Sequence, residues 1–385
     1  MSQPAQDLHR RTNSGTNKDE ARAETNTHSG CSCGHHHQEV KPIRLFSMYP
    51  DLEIVTPKDV DKSPLHAILM DDNKFIWSGY RKLPVNDYIR SFWSMFTLHN
   101  ETMNIWTHLV PSFIYLMVAV FIDRLVVSYN PDAKWMDRAS FVFYCVTGVF
   151  TFGFSAMYHT WRMNSIGDYH FCLLCDIRGI SVLVTGANAL TIAMQMKDYE
   201  SLQYIYSGIN LVASIVLLIW IRKMVRERLV KQRTFYFTLH ALMPLMTLLH
   251  RLYLQTTSFT SFLRAIEYSA FPKFTHEFLG ISHAHVGMKI KDIMWVDNHS
   301  TNYHFPNGVL DVNHALGQLL VLNYGMLAFG MFLRGYKAPE RWVPFKFDLF
   351  GASHQIFHVL SVLSSFLIVY GMFNLYTAGG FPDAI

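Results

Sequence analysis

The sequence predicts an all-α membrane protein: a bundle of seven transmembrane helices with the N-terminus in the cytoplasm and the C-terminus outside the cell. Only 16% of the 385 residues are charged and 50% are hydrophobic, whereas about a quarter of a soluble domain is charged. Apolar runs of about 20 residues, the length that crosses a bilayer, recur along the chain. They lie near 105–127, 139–160, 172–195, 203–221, 234–254, 312–334 and 353–376.

Positive charge in the loops determines the predicted orientation, because short loops rich in Lys and Arg stay in the cytoplasm. Two loops are strongly basic: the one between the fourth and fifth predicted spans and the one between the sixth and seventh. Their basic residues are Arg222, Lys223, Arg226, Arg228, Lys231, Arg233, Arg334, Lys337, Arg341 and Lys346. Both loops follow an even-numbered span, which places the N-terminus inside. This orientation is opposite to that of the usual G-protein-coupled receptor and disfavours that class.

Outside the spans, composition divides the chain into regions. Residues 1–40 are polar and lack the apolar content needed to fold, so we expect a disordered cytoplasmic tail. Residues 41–100 mix Pro, Trp, Tyr and charge, and we expect a cytoplasmic juxtamembrane segment with an interfacial amphipathic helix near 87–97. The transmembrane domain extends over 101–376, and residues 377–385 form an extracellular tail.

The predicted extracellular loop at 255–311 is long for a connection between two membrane spans, and it is rich in histidine. Its histidines are His276, His283, His285, His299 and His304. A metal or ligand site in this loop is a minor hypothesis, based on composition alone. The span that precedes the loop contains Pro244, which membrane helices tolerate as a kink.

Four polar residues lie at matching depths in the predicted spans. His354 and His358 begin the seventh span and are four residues apart, so they share one face of a helix. His159 ends the second span, and Asp176 is about one turn into the third. The predicted topology brings all four to the inner leaflet, although each of them could instead be a polar residue that serves helix packing.

These residue types indicate a metal site with hydrolytic chemistry. Three histidines plus a water molecule form a catalytic zinc shell, with one position left for a ligand. Zn²⁺ lowers the pKa of its water and polarises a carbonyl group. Asp176 is suited to hold or deprotonate that water. Ser155 lies one turn before His159 on the same face and could hydrogen-bond the water or a substrate oxygen.

A further polar stripe begins the first predicted span. Glu101, Asn104 and His108 fall at i, i+3 and i+7, and so they share one face of a helix. We expect a capping and packing network there; the alternative is a polar lining of an internal cavity.

Several strings along the chain carry a family resemblance. They are HNETMNIWTH at 99–108, SAMYH at 155–159, DIRGI at 176–180, PER at 339–341 and KFDLFGASHQIFH at 346–358. Taken together, these strings resemble the progestin and adipoQ receptor family, which includes the adiponectin receptors and membrane progestin receptors. A more distant similarity is to alkaline ceramidases and haemolysin III proteins.

The resemblance implies a seven-helix bundle of inverted orientation with Zn²⁺ on His159, His354 and His358, and with Asp176 and Ser155 around the zinc water. It also implies a receptor, with ceramide amide hydrolysis in the adiponectin-receptor branch. We therefore expect a receptor that hydrolyses a lipid amide such as ceramide. The alternatives are a non-hydrolytic receptor for a steroid or an adipokine-type protein, with structural zinc, and a regulator of membrane lipid composition.

The expected partners are a lipid or steroid small molecule and an extracellular protein ligand, and no nucleic acid. Small residues in the spans permit close helix contacts and allow a homodimer without establishing one. They are Gly148, Gly153, Gly325 and Gly330. The resemblance places the protein in the plasma membrane, with the Golgi or the endoplasmic reticulum as alternatives.

Overall fold

The structure is a computed structural model that describes residues 53–55, 73–82, 86–256, 258–270 and 309–377. Within them, a helical bundle carries one antiparallel strand pair. The elements are β1 (Glu53–Val55), β2 (Tyr80–Lys82), α1 (Tyr88–Trp93), α2 (Thr102–Tyr129), α3 (Trp135–Trp161), α4 (Ile166–Gln195), α5 (Glu200–Arg226), α6 (Val230–Ala241), α7 (Met243–Leu254), α8 (Phe259–Ala270), α9 (Val309–Tyr336) and α10 (Ser353–Thr377).

Six of these helices are long and apolar enough to cross a membrane, as judged by length and composition within the described residues. They are α2, α3, α4, α5, α9 and α10. The predicted fifth span, 234–254, instead falls on two consecutive helices of 12 residues each, α6 and α7. The interruption lies at Leu242, two residues before Pro244, whose ring cannot continue the hydrogen-bond ladder of a helix.

Three predictions fall partly or wholly outside the described residues. The tail 1–40, the five loop histidines and residues 378–385 lie beyond them. The described beginning of the 255–311 interval contains α8. Helix α1 lies in the interval predicted for an interfacial helix, and it exposes Tyr88, Ile89 and Phe92. Its position at a membrane surface remains a prediction.

The helices run between two ends of the bundle. At one end, which we call the histidine end, α3 ends and α4 and α10 begin. At the opposite, far end, Arg251 pairs with Asp198 at 3.0 Å, and Arg138 pairs with Asp123 at 2.8 Å. These pairs connect α7 to the α4–α5 turn and α3 to α2. The far end is therefore held by ion pairs, while the described core between the two ends is largely apolar.

Buried polar contacts attach the segment before α1 to the histidine end. Arg81 of β2 is 1% exposed. Its Nη1 donates to the carbonyl of Thr160 at 3.1 Å, and its Nη2 donates to the carbonyl of His159 at 2.8 Å. Carbonyls in the last turn of a helix lack intrahelical partners, so Arg81 caps α3. Burial lowers the pKa of Arg81 to about 10, which leaves it charged at neutral pH.

A fully buried histidine completes the connection between α1 and α2. His99 Nε2 donates to the carbonyl of Ser94 at 3.0 Å, and its Nδ1 accepts from the amide of Glu101 at 3.1 Å. A neutral imidazole offers one donor and one acceptor, and both are used. Burial, followed by the nearby Arg81 charge, holds the pKa of His99 well below its ordinary value.

Close packing of α2 against α3 depends on a glycine. A Cβ at Gly148 would lie 2.7 Å from the ring of Tyr115. That ring is fully buried, its hydroxyl contacts Ser365 Oγ at 2.6 Å, and it stacks on Phe366. Because these contacts fix Tyr115, the glycine is needed for the close approach.

The other small residues proposed for helix contacts differ in their surroundings. A Cβ at Gly153 would meet Ser112 at 3.3 Å, and one at Gly330 would meet Phe357 at 3.2 Å. A Cβ at Gly325 would have no neighbour within 4 Å in the described part of the chain. Three of the four glycines therefore serve contacts within this chain.

Replacing Gly148 by Ala is expected to lower the free energy of unfolding by about 1–3 kcal/mol, the usual cost of overpacking. The measurement is the thermal unfolding midpoint in detergent. The matched control is Gly325→Ala, which adds a methyl group to an open position and should leave stability unchanged or raise it. Equal effects of the two substitutions would contradict the packing role.

Acid is expected to destabilise the protein partly through His99. The unfolded residue gains a proton below about pH 6.5, while the folded residue stays neutral, so this contribution to stability is present above that pH and is lost as the pH falls toward the folded pKa. Between pH 7.5 and 5.5 the loss from this residue is about 1.4 kcal/mol. The His99→Gln variant should lose this part of the pH dependence. The matched control is His170→Gln, which removes a histidine that is exposed instead of buried.

Candidate metal centre

Three histidines from two helices converge at the histidine end. His159 lies in the last turn of α3, and His354 and His358 lie in the first two turns of α10. Each offers one ring nitrogen, and these nitrogens lie within 4.8 Å of one another. His159 and His358 are buried, at 0% and 2% exposed. The structure thus brings together all three predicted metal ligands.

The spacing of the nitrogens is suited to a tetrahedral metal ion. His354 Nε2 and His159 Nε2 are 3.3 Å apart. In a tetrahedral zinc site with Zn–N bonds of about 2.0–2.1 Å, neighbouring ligand nitrogens are about 3.3 Å apart. The distance between His354 Nε2 and His159 Nε2 therefore fits two ligands of one tetrahedral metal ion.

A buried carboxylate orients the first ligand. His159 Nδ1 contacts Glu101 Oε2 at 2.7 Å. Because a carboxylate only accepts, Nδ1 carries the proton, which leaves the Nε2 lone pair directed at the cluster. Glu101 also accepts from Arg162 at 3.2 Å and from Asn104 at 2.8 Å. A carboxylate on the far nitrogen of a metal-binding histidine fixes the ring and raises its basicity.

A threonine orients another ligand in the same way. His358 Nδ1 contacts Thr107 Oγ1 at 3.3 Å. That hydroxyl already donates to the carbonyl of Met103 at 2.6 Å, so here it accepts, and His358 Nδ1 carries the proton. The Nε2 of His358 is then also free to bind a metal. Helix α2 thus supplies contacts to ligands on both α3 and α10.

The start of α10 is held by a second buried carboxylate. Glu340 is 0% exposed. It accepts from the backbone amide of Ser353 at 2.8 Å and from the Ser353 hydroxyl at 2.5 Å. It also accepts from Asn73 at 2.9 Å. Since His354 follows Ser353 directly, Glu340 fixes where α10 begins and hence where its two histidines lie.

Asp176 and Ser155 line the same cavity as His354 and His358, and their catalytic roles stay predictions. The Ser155 hydroxyl and the Asp176 carboxylate are close enough to interact, and Asp176 also lies near His159. Both residues line a cavity of about 470 Å³ that also reaches His354 and His358. The cavity continues into the bundle, where Phe152, Leu183, Leu320 and Ile368 line it.

The roles of Glu101 and Thr107 were not foreseen in the sequence. The expected network around Glu101 and Asn104 is present, but Glu101 also contacts His159, and Glu101, Asn104 and His108 all line the cavity. The available signal was the i, i+3, i+7 stripe, which placed the three on one face. The sequence alone did not say that this face meets α3.

These features define a class: a helical integral membrane protein with a three-histidine cluster, in which His159 and His358 are buried and His354 is half-buried, beside an internal cavity. A family model described as haemolysin-III related matches residues 96–271 and 294–369. Because the match covers more than half of the chain, the chain belongs to this family.

Similar curated proteins carry receptor names. The adiponectin receptor protein of Drosophila melanogaster is 27% identical over 79% of this chain and 56% of its own length. The progestin and adipoQ receptor-like protein 1 of Caenorhabditis elegans is 26% identical over 79% of this chain and 58% of its own. The membrane progestin receptor delta of Mus musculus is 26% identical over 75% of this chain and 71% of its own length. The chain thus spans little more than half the length of the first two relatives.

Replacing Glu101 by Gln is expected to weaken the binding of Zn²⁺ by the cluster about 10- to 100-fold, because His159 loses the charged acceptor that orients it. Zinc affinity of the purified protein, measured by competition with a chelator, tests this. The control is Glu227→Gln, which removes a carboxylate exposed between α5 and α6. A Glu101 variant with unchanged affinity would refute the orienting role.

Proposed function

We propose that this protein is a receptor-type membrane protein that holds Zn²⁺ on His159, His354 and His358 and hydrolyses a long-chain lipid amide such as ceramide. The observation that carries the proposal is the shared cavity: His354, His358, Asp176 and Ser155 line one space of about 470 Å³, and His159 lies against the two histidines in the cluster. Small-molecule sites are typically about 300–1,000 Å³ and mostly apolar. An aliphatic chain suits the lining deeper in the bundle.

The topology that we propose has seven spans. The seventh crossing element is the pair α6 and α7, which together extend from Val230 to Leu254. The clustered basic residues between α5 and α6 and after α9 then favour a cytoplasmic histidine end. The N-terminus would be cytoplasmic and the C-terminus extracellular, so the reaction would take place near the inner leaflet.

The proposed chemistry divides between the metal and the chain. When bound, Zn²⁺ polarises a carbonyl and makes a water molecule acidic near neutral pH. The Asp176 carboxylate, which Ser155 orients, accepts a proton from the attacking water and passes it to the amide nitrogen as the C–N bond breaks. The products are a fatty acid and an amine, for ceramide a sphingoid base. The apolar part of the cavity would bind a hydrocarbon chain and exclude bulk water.

A second candidate function draws on the relatives' names. One relative is named a membrane progestin receptor, and a steroid is also an apolar molecule with few polar groups that a cavity of this size can hold. In that case Zn²⁺ would stabilise the bundle without hydrolysis. Turnover separates the two candidates, since the metal ligands are the same residues in both.

The central test measures zinc content and ceramide turnover on one purified full-length sample in detergent. About one Zn²⁺ per chain with turnover, both lost in the His354→Ala/His358→Ala double variant, is the expected result. Zinc without turnover would favour the binding receptor. An intact protein that holds no zinc would overturn the proposed site.

Replacing Asp176 by Asn is expected to reduce ceramide turnover at least 100-fold, since general-base catalysis typically contributes 10²–10⁴-fold. Zinc content should stay at the level of the parent protein, because Asp176 is not among the three ligands. The control is Asp123→Asn, which changes a carboxylate at the far end. Full turnover in the Asp176 variant would remove this residue from the mechanism.

A further inference from the structure

Two buried polar side chains on α2 face the cavity with unused hydrogen-bonding capacity. Asn104 and His108 are each 6% exposed, and both line the cavity beside the cluster. They are four residues apart on one helix, so their Cβ atoms are about 5–6 Å apart. Asn104 Oδ1 and both ring nitrogens of His108 lack a hydrogen bond of ordinary geometry in the described part of the protein.

The contact with Glu101 determines which atom of the Asn104 side-chain amide is left without a hydrogen bond. The amide group of Asn104 donates to Glu101 Oε2 at 2.8 Å. Since a carboxylate cannot donate, the Nδ2 atom must be the one that faces Glu101, and the opposite orientation of the amide is excluded. Oδ1 is therefore the unpaired atom. It is an acceptor only, so its missing partner must be an O–H or N–H group.

The ring of His108 is held rigidly but not by hydrogen bonds. It stacks on His358, with centroids 3.7 Å apart and planes 2° apart, and it contacts Phe152 at 5.1 Å. The carbonyl of His358 is close enough to interact with the ring, but no ordinary hydrogen bond joins them. Burying two unpaired nitrogens costs free energy. A phenyl ring could make the same stacking contacts without that cost.

We propose that Asn104 and His108 form a hydrogen-bonding subsite for hydroxyl or amide N–H groups of a lipid bound in the cavity. This inference rests on the proposed lipid-amide function and narrows its substrate class. Neutral imidazole accepts at one nitrogen and donates at the other, so a hydroxyl group can pair with either, while Asn104 accepts from a second donor. The ligand is therefore a lipid amide with hydroxyl groups close to its carbonyl carbon, as in an N-acyl amino-diol, rather than a plain N-alkyl amide.

The position of the subsite supports this assignment. His108 stacks on a proposed metal ligand, so a group bound to His108 lies within a few bonds of a carbonyl at the cluster. When the hydroxyl groups of the lipid bind to Asn104 and His108, they determine which end of the lipid faces Asp176. A chain without hydroxyl groups would leave Asn104 Oδ1 and His108 unpaired when it displaces water, which weakens its binding.

The test compares two probes of equal chain length on the full-length Asp176→Asn protein in nanodiscs, so that binding is measured without hydrolysis. One probe is a ceramide and the other is an N-acyl alkylamine without hydroxyl groups. The ceramide is expected to bind about tenfold more tightly, from one or two added hydrogen bonds. In His108→Phe this preference should fall to about twofold or less, while His108→Gln should retain most of it.

A second readout separates hydrogen bonding from support of the metal ligand. The His108→Phe variant keeps an aromatic ring on His358, so the visible spectrum of the Co²⁺-loaded protein should stay unchanged. An altered spectrum together with weaker binding of both probes would mean a structural role and would overturn the inference. So would equal binding of the two probes by the parent protein, or an unchanged preference in His108→Phe.

The outcomes also distinguish this inference from the proposed function. Ceramide turnover by the otherwise unmodified protein without any preference between the probes would refute the subsite alone. A preference that depends on His108, in a protein with no turnover, would refute hydrolysis and leave the subsite in place.

Discussion

The buried carboxylate of Glu101 is the interaction on which the histidine end depends. A charge removed from water must be compensated by ion pairs and hydrogen bonds. Glu101 receives them from His159 on α3, from Arg162 just beyond that helix and from Asn104 on α2. These contacts fix the register of α2 against α3. Displacing either helix would leave a buried charge unpaired, so the position of His159 is determined by electrostatics as well as by apolar packing.

The same constraint continues to α10 through two further contacts. Thr107, on the next turn of α2, meets His358, and Glu340 holds the first residue of α10. His159 and His358 therefore each have a hydrogen-bond partner outside the cluster. Glu101 and Thr107 orient these two rings, whereas the His354 ring contacts His159, Phe357 and His358. Partners of this kind on the far nitrogen are typical of metal-binding histidines.

The segment before the first span belongs to the site as much as the spans do. Arg81 caps the end of α3 at His159 and Thr160, and Asn73 contacts Glu340.

Asp348, which precedes α10, accepts from the amide of Trp77 at 3.1 Å and from the Ser78 hydroxyl at 2.7 Å. These contacts close the histidine end around the cluster. A change in this segment can therefore alter the cluster without touching a histidine.

The sequence determined a large part of this architecture. Apolar runs of spanning length predicted helices that the structure contains, because a segment that crosses a bilayer must satisfy its backbone within itself. Loop charge and the order of the spans predicted that His159, Asp176, His354 and His358 lie at one depth, and the structure brings the three histidines together. The interruption of the fifth predicted span at Leu242 was visible only as Pro244, which signals a kink but does not fix its extent.

Only the tertiary structure decided which faces of the helices meet. Periodicity placed Glu101, Asn104 and His108 on one face of α2, but the pattern does not show which helix packs against that face. The pairing of Glu101 with His159, the stacking of His108 on His358 and the approach of Arg81 to the end of α3 join residues that are 50 to 250 positions apart. Such contacts depend on packing between distant segments, which local sequence patterns do not predict.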